Sequence, residues 1–344
     1  MALTLNKSRR AFPLVFKDKK NITEQVLPFL QQVTIVENLE GVFDEATLKF
    51  DNKNNLFLRK DWAFDKGTKL EIGVTTLNWE SAEEGIINKI IGHYNVDVKK
   101  FNFKNANIKC ISAPLKAKNQ ENSNIYNQIS LKELGSKIAN KYKLEYFYEG
   151  PEIIMEDVKQ EKTTDFSFLN EIADKEGIKL KVTNSKLVLF EEEKLLKKES
   201  IKTFSIDHFT DFEIDDKSNE IYDAIELTYY HAIEDEEKRV ILTKDQLEGR
   251  ENKEYEKLLK RKVRAKDNNF NKLAKNLLNK ANRKEITIKF KTIGYLNLYT
   301  GAVITIVDAA QYNGKYLITK ITYNLPKFEI EVEGYKIKRS DNND

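Results

Sequence analysis

Alternating hydrophobic and polar residues predict strands in the first and last parts of the chain. The segments EATLKF (45–50) and KLEIGV (69–74) place apolar residues at every second position, and KFEIEVEGYKI (327–337) does the same near the C terminus. A period of two is typical of a strand with one buried face. Turn-forming residues at 51–55 and 65–67 separate the first of these strands. We therefore predict that both ends of the chain are β-rich.

The periodicity changes near Pro114. The polar segment KAKNQENSN (116–124) predicts a linker. In SLKELGSKIANKY (130–142), Ser130 and Glu133 form a capping-box pattern, and apolar residues recur every three or four positions. This spacing predicts an amphipathic helix.

A second helix and a tight hairpin follow in TTDFSFLNEIADKEGIKLKVTNSKLVLF (163–190). The helix is predicted to begin near Thr164 and to end at Gly177, because glycine suits a left-handed C-terminal cap. The two short apolar runs after it predict strands joined by a turn at 183–185. Together these elements predict a compact α/β module with no catalytic motif.

Strands resume after residue 201, and a charged stretch interrupts them. TFSIDHF and AIELTYY are strand-like, whereas the residues from 234 to 257 show no clear period. Asp267 is a suitable N-cap for a helix whose apolar stripe includes Phe270, Leu273 and Leu277.

The predicted fold class is α+β, mainly β, with two related β-barrel-like tube domains, an inserted small α/β module and a helix-containing insertion in the second β-domain. The predicted boundaries are 1–115 for the first tube-like domain, 116–200 for the module, 201–230 plus 285–340 for the second tube-like domain, and 231–284 for the charged insertion.

A weak internal repeat links the two β-rich parts. Gly67-x-x-Leu70-x-Ile72 resembles Gly301-x-x-Ile304-x-Ile306, and a second glycine follows in each part, Gly85 and Gly314 respectively. Generic hairpins produce similarity of this kind as well, so a true duplication and a coincidence both stay open.

Composition and charge narrow the function classes. Charged residues make up 33% of the 344 residues, yet the formal net charge is only +3 and the two signs are interspersed, which does not predict a nucleic-acid-binding track. The single cysteine, Cys110, lies in a strand-like segment and is predicted to be buried. No stretch approaches the length of a membrane span, and synthesis in the host cytoplasm is expected.

Residues for catalysis are scarce. Only three histidines occur, His93, His208 and His231, and none belongs to a nucleophile or metal-ligand motif. Neither GxGxxG nor GxxxxGK[ST] is present. The carboxylates at 191–193 could form a glycosidase pair, but an acidic solvated turn is the better interpretation. We therefore predict that the protein is not an enzyme and needs no metal or other cofactor.

The order of the local motifs resembles the phage late control gene D family, the central hub proteins of contractile-tail baseplates. It also resembles the N-terminal hub part of the type VI secretion valine-glycine repeat spike proteins. Four segments are similar to the family: the helix at 130–142, the segment 163–190, EIYDAIELTYY (220–230), and the C-terminal part from NNFNKLAKNLLNKANRK (268–284) through the strand that follows Gly301.

This resemblance implies a homotrimeric, pseudo-six-fold ring that joins a hexameric tail tube to a trimeric spike. The implied partners are the tail tube protein, the spike protein, other baseplate proteins and a tape measure protein, and the implied location is the baseplate of a virion or tail-like particle. With two related β-domains per chain, three copies would present six similar units around one axis. The module would then lie outside the ring and contact neighbouring baseplate proteins.

Glu329, Glu331 and Glu333 share one face of the C-terminal alternating strand. A lumen-lining role, in which negative charge repels passing DNA or an acidic protein, and a role facing solvent or a neighbouring subunit both stay open. An alternative to the hub is a cell-wall (peptidoglycan) binding protein, because the module resembles small peptidoglycan-binding folds.

Overall fold

The computed structural model describes residues 8–40, 43–231, 235–263 and 270–337. The N-terminal part is mainly β, as the alternating pattern predicted, with one short α-helix and two 3-10 helices at Lys53–Leu58 and Lys60–Trp62. Its elements are β1 (Arg10–Lys17), β2 (Lys20–Asn21), α1 (Thr23–Val26), β3 (Leu30–Asn38), β4 (Glu45–Asp51), β5 (Lys69–Leu77), β6 (Ile86–Phe101) and β7 (Asn105–Ile111).

The module that follows alternates helices and strands. Its elements are α2 (Leu115–Asn119), β8 (Glu121–Ser130), α3 (Leu131–Lys141), β9 (Glu145–Glu149), β10 (Ile154–Thr164), α4 (Asp165–Lys175), β11 (Ile178–Thr183), β12 (Lys186–Glu191) and α5 (Glu192–Leu196).

The C-terminal part returns to strands, interrupted by a mixed insertion. Its elements are β13 (Ser200–Ser205), β14 (Asp211–Asp216), β15 (Ala224–His231), β16 (Glu236–Thr243), α6 (Lys244–Leu247), β17 (Leu258–Lys262), α7 (Phe270–Asn282), β18 (Ile286–Ile293), β19 (Val303–Val307), β20 (Gly314–Leu325) and β21 (Glu329–Lys336).

Strands from both ends of the chain form one continuous 13-stranded sheet in the described residues. Its order is β14-β18-β21-β20-β3-β4-β7-β6-β5-β1-β2, and β13 and β19 attach beside β20. The two parts meet where β3 pairs antiparallel with β20, from Val33 opposite Leu325 to Asn38 opposite Lys320. This path is open rather than closed within the described chain, so the mainly β fold class is confirmed and the barrel-like character stays a prediction.

The two halves of this sheet repeat one strand order. In chain order, the first half is β1, β3, β4, β5, β6 and β7, and the second is β13, β14, β18, β19, β20 and β21. In each half the sheet runs second-third-sixth-fifth-fourth-first. One difference is orientation, because β1 is antiparallel to β5 whereas β13 is parallel to β19.

The module confirms the helix and hairpin predictions. The Ser130 hydroxyl accepts the Glu133 backbone N–H at the start of α3, and Thr164 caps α4 in the same way. Gly177 adopts a φ of 77° after α4, as a left-handed cap requires. The strands β11 and β12 then form an antiparallel hairpin, and β9 adds to β12 in parallel. Local sequence signals thus account for the two longer helices and the hairpin.

Two regions differ from the predictions. The polar segment 116–124 is not a linker, since it forms most of α2 and the start of β8, which pairs with β10. This two-stranded ribbon carries mainly polar residues and therefore lacks the usual alternation. The strand β15 pairs with β16 and β17 in a separate three-stranded sheet rather than with the main sheet. Asp267, the predicted N-cap, lies outside the described residues, whereas α7 buries Ala274 and Leu278 on its stripe.

The largest hydrophobic core draws on both halves of the main sheet, and a second core fills the module. Trp79 crosses between the halves: its Nε1 donates to the Gly294 carbonyl at 2.7 Å, and its ring lies 5.1 Å from that of Phe328. Cys110 is buried in this core, as predicted, and burial raises the pKa of its thiol.

Candidate functional surfaces

The three predicted glutamates lie on the polar face of the main sheet. On β21, Ile330 and Val332 enter the core, whereas Glu329, Glu331 and Glu333 project from the opposite face. The alternation predicted from the sequence is therefore correct. Whether this face lines a channel stays a prediction.

Lysines from neighbouring strands pair with two of these glutamates. Lys289 Nζ lies 3.0 Å from a Glu331 carboxylate oxygen, and Lys291 Nζ lies 3.7 Å from the other. Lys320 Nζ lies 2.8 Å from Glu333. Cross-strand pairs of opposite charge stabilise a sheet modestly. Charges of both signs therefore share this face.

The charge balance of this face could not be inferred from β21 alone. In register, Glu213, Lys289, Glu333 and Lys320 form one row across β14, β18, β21 and β20. The lysines come from segments distant in sequence, so only the strand pairing shows that they face the glutamates. EITIKFK (285–291) also alternates, and this pattern indicates that Lys289 and Lys291 share one face of their strand.

A second candidate site is a cluster of charged, largely buried side chains at the junction of the module with both halves of the sheet. Arg283, which follows α7, binds Glu192 of α5 with Nη1 at 2.9 and 3.1 Å from the two carboxylate oxygens. Its other Nη contacts Glu40, which follows β3. The Tyr335 hydroxyl of β21 donates to Glu192 at 2.7 Å. Arg283 thus connects the module to both halves.

Lys179 extends this junction into the module. Its Nζ lies 2.9 Å from Glu40 and 3.0 Å from Asp174, and its side chain is 7% exposed. Burial opposes ionisation of Glu40, but the hydrogen bond and charge of Arg283, with a further contribution from Lys179, outweigh it and lower the pKa of Glu40. Paired, hydrogen-bonded charges of this kind fix the orientation of the parts that they join.

A third group of polar residues lies beneath the joint between β3 and β20. Lys181 Nζ donates to the Asn38 carbonyl at 2.9 Å and to Thr300 Oγ1, and it lies 3.8 Å from Asp44. Glu37 is buried beside it, and desolvation raises the pKa of its carboxyl to about 7, although the charge of Lys181 opposes the shift.

Glu37 predicts a pH dependence of stability. Because its folded pKa exceeds the unfolded value, the folded state binds a proton more tightly, and its contribution to stability is lost as the pH rises from about 4.5 to 7. A Glu37→Gln variant should therefore gain up to about 3 kcal/mol at pH 8 and almost nothing at pH 4.5. Urea denaturation across this range checks this prediction, with Glu45→Gln, whose side chain is 43% exposed and pairs with Lys109, as control. An equal gain at both pH values would contradict the assignment.

The described residues hold no group of three or more His, Cys, Asp or Glu side chains able to bind a metal ion. His93 lies in β6, His208 in the turn before β14, and His231 at the end of β15. Among the described helices, none is long and apolar enough to cross a membrane.

No family model matches this chain, and no curated protein matches it in sequence. Solved structures match over nearly the whole chain. A tail protein from Neisseria meningitidis aligns with a TM-score of 0.69 at 9% identity, covering 95% of this chain and 97% of the other. A 43 kDa prophage tail protein from Shewanella oneidensis aligns with a TM-score of 0.66 at 10% identity, covering 95% and 98%.

A component of the E. coli type VI secretion system, described as structurally similar to the T4 tail proteins gp27 and gp5, aligns with a TM-score of 0.53 at 9% identity. The alignment covers 90% of this chain and 74% of the other. At such low identity a structural match establishes the fold alone. The resemblance inferred from the motif order is confirmed at that level: this chain has the fold shared by these phage tail proteins and the type VI secretion component.

Proposed function

We propose that the protein is the structural hub of a contractile phage tail or phage-tail-like particle. Three copies would form a pseudo-six-fold ring at the baseplate, with the hexameric tail tube on one side and the trimeric spike on the other. The protein would act by shape and by contact, without bond chemistry.

The repeated strand order carries this proposal. Each half of the main sheet arranges its six strands as second-third-sixth-fifth-fourth-first, although the halves share little sequence. A duplicated unit gives each chain two similar faces, and three chains then offer six such faces around one axis.

The polar face of the main sheet is suited to line the ring. It carries Glu329, Glu331 and Glu333 among lysines and other polar side chains, and it exposes few apolar groups to which a passing chain could adhere. The module would lie outside the ring and contact other baseplate proteins. A tape measure protein would be a transient partner in the lumen.

Electron microscopy of the purified ring, alone and co-expressed with its spike protein, tests this function. End-on averages should show six similar lobes around a central opening, with three module densities outside them. A protein that stays monomeric with its spike and binds purified sacculi saturably would instead support the cell-wall-binding alternative.

A further inference from the structure

The joint between the two halves provides a template for a contact between copies. Here β3, the second strand of its half, pairs with β20, the fifth strand of the other half. The joint buries its apolar residues: Val33 is 0% and Leu325 2% exposed, and they lie opposite each other. Each half has one more strand of the same kind away from the joint. In the C-terminal half the second strand is β14, which is equivalent to β3, and in the N-terminal half the fifth strand is β6, which is equivalent to β20.

The equivalence of β6 and β20 holds residue by residue. The N–H of Gly67 donates to the Val96 carbonyl at 2.8 Å, and that of Gly301 donates to the Ile318 carbonyl at 2.8 Å. One residue later each strand has a bulge relative to its hairpin partner, at Asp97 and at Thr319. Val98 through Asn102 therefore corresponds to Lys320 through Asn324, within the segment that pairs with β3, and the turn that follows is shorter after β6 than after β20.

The equivalence of β14 and β3 follows from the ladders beside them. In the C-terminal half, Ile214 pairs with Ile288, which pairs with Gly334. In the N-terminal half, Ile35 pairs with Ala46, which pairs with Cys110. Gly334 and Cys110 in turn lie opposite Ile318 and Val96, the residues just matched. Ile214 thus corresponds to Ile35, and Phe212 to Val33.

Both equivalent edges lack a strand partner within the described chain. The strand β14 ends the sheet path, and β5 pairs with β6 only up to Asn95. Phe103, in the turn that follows β6, is 87% exposed, and Phe212 is 46% exposed. An exposed edge with apolar side chains favours pairing with another chain.

We propose that β14 of one copy pairs antiparallel with Val98–Asn102 of a second copy, in the register of β3 on β20. This inference rests on the proposed ring and names its subunit contact. The register places Lys100 opposite Asp215 on one face, and Lys99 opposite Asp216 and Phe101 opposite Ile214 on the other. The contact is head-to-tail, so three copies can close a ring.

Charge complementarity identifies a second copy as the occupant. The edge strand reads DFEIDD (211–216), with four carboxylates in six residues, and the receiving segment reads VKKFNFK (98–104), with three lysines in seven. Two β14 edges would repel each other, whereas β14 and the β6 segment attract. The transferred register brings opposite charges together at two successive positions.

Cysteine cross-linking tests this register in the full chain. Because Leu39 and Thr319 form a hydrogen-bonded pair, Lys100 and Asp215 would form a non-hydrogen-bonded pair with Cα atoms about 4.5 Å apart, which a disulfide can span. Oxidised Lys100→Cys/Asp215→Cys protein should therefore run as a covalent trimer without reductant. Both positions are exposed, and Cys110 is buried.

The matched control is Lys100→Cys/Asp211→Cys. Its second thiol lies on the same strand about 13 Å from position 215, beyond disulfide reach. A strong trimer band in the test variant and its loss in the control supports the inference. Equal cross-linking in both, or none in the test variant while the unmodified protein is trimeric by mass, overturns the register and leaves the hub function intact. A chain that never self-associates, even with its spike, overturns both.

Discussion

An Arg283→Ala variant is expected to lose about 3–5 kcal/mol of its free energy of unfolding. Arg283 is 17% exposed and is the shared cation of Glu40 and Glu192. Without it, two partly buried carboxylates would lie close together, with only Lys179 and the Tyr335 hydroxyl near them. The module, the sheet and α7 would lose their common anchor.

Urea denaturation at pH 7 measures this loss, with Lys280→Ala as the matched control. Lys280 pairs with Asp174 at the same junction, but its side chain is 48% exposed, so its removal should cost less than about 1 kcal/mol. The deficit of the Arg283 variant should shrink toward pH 4, because protonation of the carboxylates removes the unpaired charge. Equal costs for the two variants would show that the junction contributes little.

Phe50→Ala and Phe290→Ala should each cost about 3–5 kcal/mol and should shift the same unfolding transition. Both rings are fully buried, one in each half of the main sheet. Phe50 stacks on Phe57 at 4.5 Å, and Phe290 stacks on Phe209 at 4.1 Å. Since the halves share one core and the β3–β20 pairing, loss of either ring should weaken both.

Calorimetry distinguishes this outcome from two independent domains. One cooperative transition for the main sheet, lowered by either substitution, is the expected result. If each variant moved a different transition, the halves would unfold separately, and the continuous sheet would not act as one unit. Phe12→Ala is a suitable control, because that side chain is 40% exposed.

Local signals predicted the module well. Its two longer helices begin at hydroxyl caps, Ser130 and Thr164, and the second ends at Gly177 with positive φ. These features depend on residues within four positions of each other, so the sequence displays them directly. The burial of Cys110 and the alternation on β21 were predictable for the same reason.

Features that depend on distant strands were not predictable. The lysines beside Glu331 and Glu333 come from β18 and β20, and the junction around Arg283 joins residues 40, 192 and 283. The polar strand β8 carries no alternation, so its sequence predicts a linker instead of a strand. The pairing of β15 in a separate sheet likewise has no local signature.

The internal repeat was recognised in part. Gly67 and Gly301 are equivalent, since both have φ of 87° and both donate to the matching position of the fifth strand. Gly314, however, corresponds by register to Gly92 rather than to Gly85. The loops between the strands differ in length in the two halves, so spacing along the sequence misaligns the second glycine. Only the strand pairing aligns it.

The mass of the purified protein by light scattering, across a concentration series, tests the central claim most directly. A stable species near three times 40.1 kDa is expected, alone or with the spike protein, since the described part of each copy carries two complementary strand edges without a partner. A species of 40.1 kDa at every concentration, unchanged by co-expression with the spike, would contradict it.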